Sequence, residues 1–131
     1  MMDNFQGVEI TKSQPEIITL CGSSRFAQAM AVLAWEFEKK GRIVLGLHLL
    51  PDYYCKYKNY KPDTEGIIHH IGEQEGVEDI MDALHFKKIE IADSIYVVNI
   101  GGYIGKSTAR EIAYAKHLGK PVSYYEDSEV L

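Results

Sequence analysis

The sequence predicts an α/β fold: three layers, with a parallel sheet of about four to five strands flanked by helices in the flavodoxin- or Rossmann-like manner. Three observations carry this. Short runs such as Glu16 to Leu20 and Ser94 to Ile100 are apolar almost throughout, as in strands covered on both faces. Between them, Phe26 to Lys40, Glu75 to Ala92 and Thr108 to Leu118 place apolar residues at helical spacing. Glycines stand where strand gives way to helix, at Gly22 and again at Gly101, Gly102 and Gly105.

Each element follows from its own residues. The first strand, Glu16 to Leu20, runs into Cys21-Gly22-Ser23-Ser24-Arg25, where Ser23 and Ser24 are expected N-caps for the helix Phe26 to Lys40. Gly41, behind Lys39 and Lys40, is a helix stop. Arg42 to Leu50, rich in Ile, Val and Leu and closed by Pro51, is the expected second strand. Residues 51 to 72 break the rhythm: Tyr53, Tyr54, Tyr57 and Tyr60 stand among lysines and two prolines, as in a long loop or a partly helical lid. Helical periodicity returns over Glu75 to Ala92, and Asp93 precedes the third strand, Ser94 to Ile100. The last helix, Thr108 to Leu118, is closed by Gly119-Lys120-Pro121, and a final strand, Val122 to Tyr125, leads to a short acidic tail.

Composition bounds the function. The 131 residues suit one domain, spanning 1–131, with one core. A net charge of −5, with Lys and Arg scattered, argues against a nucleic acid polymer as partner. No apolar run has the length or purity of a membrane span, and none reads as a secretory leader. Cys21 and Cys55, without CxxC spacing, fit a reducing cytoplasmic setting better than a disulfide framework. There is no internal repeat or linker.

In sheets of this kind ligands sit outside the carboxyl ends of the strands. The turn Gly22 to Arg25, the tyrosine-rich segment and the glycine loop after the third strand all emerge at that edge. The glycine loop lets the backbone approach a ligand, and the helix behind it offers unpaired N–H groups at Gly105 to Thr108. Glu111 falls one turn inside that helix, so its carboxylate is expected to point back toward whatever the loop holds.

Taken together, Cys21-Gly22-Ser23-Ser24-Arg25, Ile91-Ala92-Asp93, the glycine loop before Glu111-Ile112-Ala113-Tyr114-Ala115, and Gly119-Lys120-Pro121-Val122 resemble the nucleoside 2-deoxyribosyltransferase-like family. That family includes the 2'-deoxynucleoside 5'-phosphate N-hydrolases. The resemblance runs in order along nearly the whole chain. It implies cleavage or transfer at the N-glycosidic bond of a nucleoside or nucleoside 5'-monophosphate, with Glu111 as the nucleophile at the anomeric carbon. It implies no metal or organic cofactor, and assembly into a homodimer or higher homo-oligomer. The turn Gly22, Ser23, Ser24, Arg25 resembles the hydrolases' phosphate-binding "G-S-x-R" turn, and Gly101, Gly102, Tyr103, Gly105, Ser107 and Thr108 would complete the substrate site.

The residue type suits the chemistry. Cleavage of an N-glycosidic bond passes through an oxocarbenium-like state, which a carboxylate beneath the sugar stabilises or traps. Water as acceptor makes a hydrolase, a second base makes a transferase. The chain departs from the family pattern at His85 and Gly105, where aspartate or serine is usual, and at Thr19, where the hydrolases tend to place a tyrosine. The proton donor then falls to His85 or to Asp82, one helical turn earlier.

Other readings compete. Glu111 on a last helix can be a solvated charge, Arg25 a surface ion-pair partner, and the tyrosines a cover for the core or a stacking surface for a base. A related fold that binds a nucleotide without cleaving it is the alternative function, and a scaffold with a degenerate site is a third. Gly105-Lys106-Ser107 matches the end of a P-loop, but the ring needs glycine at position 100, where the chain has Ile100. A metal site from His69, His70, His85 and Glu73 or Glu75 is disfavoured, because adjacent histidines on a helix diverge.

Overall fold

The computed structural model describes residues 2–61 and 71–127. Two short strands, β1 (Met2–Phe5) and β2 (Val8–Thr11), form an antiparallel hairpin with Gln6 and Gly7 at its tip, both at positive φ. The main sheet has four strands: β3 (Ile17–Gly22), β4 (Ile43–Leu45), β5 (Ser94–Val98) and β6 (Val122–Tyr124), in the order β4-β3-β5-β6 and all parallel. The helices are α1 (Ala27–Lys39), α2 (Asp52–Lys58), α3 (Ile71–Gln74), α4 (Glu78–Ile91) and α5 (Lys106–His117). This is a three-layer α/β architecture of the Rossmann-like kind.

The layers follow from alternation along the central strands. Leu20 of β3 and Val98 of β5 pack on one face with Met30 of α1 and, around them, Leu33, Phe37 and Tyr96. Cys21, Ile95 and Val97 point to the other face, against Ile89 of α4 and Ala115 of α5, with Phe86 and Tyr114 beside them. Strands β3 and β5 are covered on both sides, which is why their sequences are apolar without alternation.

Family-like motifs at the opposite edge of the sheet have structural roles. The Asp93 carboxylate accepts the Ile17 N–H at 2.7 Å while Asp93 N–H donates to the Ile17 carbonyl at 2.8 Å, which sets the register of β3 and β5. Lys120 Nζ donates to the carbonyls of Glu90 and Ala92, closing the carboxyl end of α4.

Several boundaries differ from those expected. The second strand pairs only over Ile43–Leu45; from Gly46 onward the chain leaves the sheet. The tyrosine-rich segment carries α2, and Tyr54 and Tyr60 both donate to the Glu75 carboxylate, tying it to the entry of α4. Helix α4 begins at Glu78 rather than Glu75, because Gly76 takes a positive φ of 72° and ends α3. Residues 62–70 of that expected loop, with His69 and His70, lie outside the described residues.

Candidate functional site

Strand β3 leads by α1 to β4 on one side of the sheet, while β5 lies on β3's other side, so the chain reverses direction between β3 and β5. A crevice opens at such a switch point, at the carboxyl ends of the two strands. The residues leaving those ends are Ser23 to Phe26 and Asn99 to Gly105.

Gly22 is required by the close approach of the strands. It stands opposite Val98, and a Cβ on it would lie 3.0 Å from the Val98 carbonyl oxygen and 3.2 Å from Val98 Cβ. After it, Ser23 accepts the Arg25 N–H at 3.2 Å and caps a single 3-10 turn, Ser24–Phe26. The serine cap therefore serves this turn; α1 itself starts at Ala27, with Phe26 at the N-cap position and no side-chain cap. The Arg25 guanidinium stacks on the Tyr103 ring, 3.8 Å from its centroid, and Phe26 meets the same ring edge-on. These contacts join the two loops across the crevice.

Gly101 and Gly102 both occupy left-handed backbone, with φ of 68° and 77°, which turns the chain sharply out of β5. Gly105 flanks the Tyr103 hydroxyl, where a Cβ would come within 3.3 Å, and it begins α5 with no side-chain cap. The Gly101 N–H is engaged: it donates to the Glu126 carboxylate at 2.8 Å. Buried Asn99 holds that segment by donating to the Glu126 carbonyl and accepting its N–H, both at 2.8 Å. An acidic side chain of the same chain thus sits where the loop offers an anion its first donor.

On the α4 and α5 side of the crevice three ionisable groups converge. Cys21 Sγ lies 3.4 Å from His85 Nε2, and His85 Nε2 lies 3.5 Å from Glu111 Oε1. Cys21 and His85 are fully buried, whereas the Glu111 side chain remains 12% exposed. Burial decides their protonation. It pushes Glu111 from its ordinary 4.5 up to about 7, with the Cys21 hydrogen bond opposing and Asp82 adding to the rise. Burial, with Lys88 nearby, pulls His85 down to about 4. The Cys21 thiol is raised by burial and by Glu111. At neutral pH the cluster is a thiol, a neutral imidazole and a carboxyl group near the midpoint of its titration, not a salt bridge.

The rim carries charge. Asp82 Oδ2 lies 3.6 Å from Arg110 Nη2, and the same nitrogen donates to Ser107 Oγ at 3.3 Å. Ser107 is thus tied to the Asp82–Arg110 pair, and its neighbour Thr108 is buried. Of the residues expected at a site, Glu111 and His85 meet directly, with Asp82 and Ser107 beside them through Arg110. Ser23, Arg25 and Tyr103 gather on the other lip. Thr19 is buried and donates to the Lys88 carbonyl, so it faces α4 rather than a ligand.

Cys21 was not expected in the site; its cue was position, one residue before Gly22 with parity toward α4 and α5. His85 has Cys21 and Glu111 as its neighbours in place of the acidic pair Glu73 and Glu75. A cavity of about 780 Å³ lies against α1 and the segment after β4, bounded by Leu20, Met30, Val44, Leu49 and Lys88. It shares no lining residue with the cluster. No protein-family model, curated protein or solved structure matches this chain. Among the described residues, no helix is long and apolar enough to cross a membrane.

Proposed function

We propose that this chain breaks, or transfers across, the N-glycosidic bond of a nucleoside or nucleoside 5'-monophosphate, with Glu111 as the nucleophile. The observation that carries the reading is the Glu111 carboxyl: mostly buried, raised to about 7, and held against Cys21 at the carboxyl end of β3, the strand from which the serine–arginine turn departs after Gly22. A carboxylate with little water around it costs less to neutralise with an oxocarbenium ion than a solvated one. Arg25, Ser23 and Ser24 on one lip and Ser107 on the other supply donors of the kind a 5'-phosphate takes.

His85 is neutral at working pH, so it serves this chemistry as a hydrogen-bond donor, its Nε2–H orienting the ionised Glu111, rather than as the acid. Asp82 is left as the candidate to deliver a proton to the departing base. Cys21 and Cys55 are not joined by a disulfide, which agrees with a cytoplasmic setting. Ile80, Met81, Leu84 and Ile91 lie exposed along α4, which suits assembly into a homo-oligomer.

Purified protein incubated with a panel of nucleosides and nucleoside monophosphates should release free base, and Glu111→Ala should abolish the release. Base release that survives Glu111→Ala would sink the mechanism. His85 and Gly105, standing where the family's sugar-orienting and proton-donating residues are usual, favour a second reading, a nucleotide-binding module without turnover: nucleotide affinity with no base release over long incubation would establish it.

A further inference from the structure

Cys21, His85 and Glu111 come from three separate elements, β3, α4 and α5, yet their ligand atoms all lie within 4.8 Å of one another. Two of the three spacings are 3.4 Å, sulfur to nitrogen, and 3.5 Å, nitrogen to oxygen. A tetrahedral zinc ion binds sulfur at about 2.3 Å and nitrogen or oxygen at about 2.0 to 2.2 Å, which sets neighbouring ligand atoms roughly 3.4 to 3.6 Å apart. Two edges of a tetrahedral face, both meeting at His85 Nε2, are already in place, and the third, sulfur to oxygen, lies within 4.8 Å.

We propose that Cys21 Sγ, His85 Nε2 and a Glu111 carboxylate oxygen form a binding site for one zinc ion, with the fourth position on the Glu111 side left to water. The donor set selects the metal. Thiolate, imidazole and one carboxylate suit a borderline-soft divalent cation and do not suit magnesium or calcium, which take oxygen ligands. The opening is on the Glu111 side because Cys21 and His85 are closed to solvent.

The imidazole is committed to this cluster. His85 Nδ1 is buried and has no hydrogen-bonding partner among the described residues, so the ring's polar contacts all run through Nε2. Zinc-bound histidines usually donate their second N–H to an acceptor, and the lack of one here places the affinity below that of a closed structural site. Binding exchanges protons for metal: the Cys21 thiol, and Glu111 where protonated, release theirs to solvent as the hydrated ion sheds waters. The proposal stands apart from the N-glycosidase reading. A bound ion would occupy the carboxylate oxygen that reading needs, so the metal-loaded form would not release base.

Cobalt(II) is the probe, titrated into the full chain under reducing, oxygen-free conditions. A single equivalent should bring up an intense thiolate-to-cobalt charge-transfer band together with the visible bands of four-coordinate cobalt, and zinc should bleach both. Cys55→Ser should keep the spectrum. Cys21→Ser should lose the charge-transfer band, and Glu111→Gln should weaken binding by about tenfold or more. Should those two variants fail to fold, the wild type and Cys55→Ser decide the matter, with a zinc-dependent rise in melting temperature as the second measurement. No charge-transfer band in the wild type, a band that follows Cys55, or a melting temperature indifferent to zinc would overturn the proposal.

Discussion

His85 Nε2 lies 3.5 Å from Glu111 Oε1, and at neutral pH the two do not make an ion pair. Burial opposes charge on both, lowering the imidazole to about 4 and raising the carboxyl to about 7. The contact is therefore a neutral imidazole against a carboxyl group that titrates within the physiological range. Whatever chemistry Glu111 performs is gated by its own proton.

The first consequence is kinetic. As a nucleophile Glu111 must be ionised, so base release should climb about tenfold per pH step below 7 and level off above it, if no other group limits the rate. A pH–rate profile from 5 to 9 checks this. A rate that falls as pH rises through 7 would assign Glu111 the acid's role instead.

Stability should carry the same signature with a definite sign. The folded state holds the Glu111 proton up to about 7 while the unfolded chain loses it near 4.5, so its contribution is complete below 4.5 and is lost as pH rises through 7. His85 runs oppositely: its folded value is depressed to about 4 from 6.5, so stability present above 6.5 falls away as pH drops toward 4. Glu111→Gln should gain stability relative to the wild type as pH rises from 4.5 to 8, by up to about 3 kcal/mol. Urea unfolding at the two pH values measures the difference.

Gly22→Ala tests the close approach of β3 to β5. The new methyl would meet the Val98 carbonyl oxygen at 3.0 Å, backbone that cannot step aside, and overpacking of this kind costs about 1–3 kcal/mol. Thermal unfolding should show a clear drop in midpoint.

Substitution of Arg25 tests the proposed phosphate contact. Arg25→Ala should raise KM for a nucleoside 5'-monophosphate by roughly tenfold or more, from loss of a charge-assisted hydrogen bond, and leave an unphosphorylated nucleoside nearly unaffected. Arg25→Lys should recover little, because lysine lacks the planar group that stacks on Tyr103. Equal losses on both substrates would remove the phosphate contact.

Asn99→Ala should free the segment that ends in Glu126. Two hydrogen bonds from a fully buried amide are lost, at a cost of about 1–3 kcal/mol. Amide exchange at Gly101 and Glu126 should accelerate together, since the Glu126 carboxylate then loses its purchase on the Gly101 N–H.

How much of this was legible in the chain depends on how local each signal is. The apolar runs at 16–20 and 94–100 announced buried parallel strands, found at Ile17–Gly22 and Ser94–Val98, and the glycines at 101 and 102 announced a sharp turn, because burial on two faces and left-handed backbone each restrict residue type directly. The hairpin over residues 2–11 carried only a Gln6-Gly7 tip and short exposed flanks, a weak pattern at four residues per strand. The second strand was read too long because Gly46 to Leu50 is apolar for a different reason: Leu47, Leu49 and Leu50 line a cavity beside α1 rather than pair in the sheet. Ser23 was recognisable as a cap, although the turn it caps is a separate one before α1.

The sequence by itself determined the layer pattern, the turn chemistry and the place of Glu111 one turn inside the last helix, since each rests on neighbours within a few residues. Only the tertiary structure decided what Glu111 meets. Cys21, His85 and Glu111 are 64 and 26 positions apart in succession and become neighbours because β3, α4 and α5 pack on one face of the sheet. Their altered protonation follows from that packing, because the loss of water that moves each pKa exists only once the three elements close over one another.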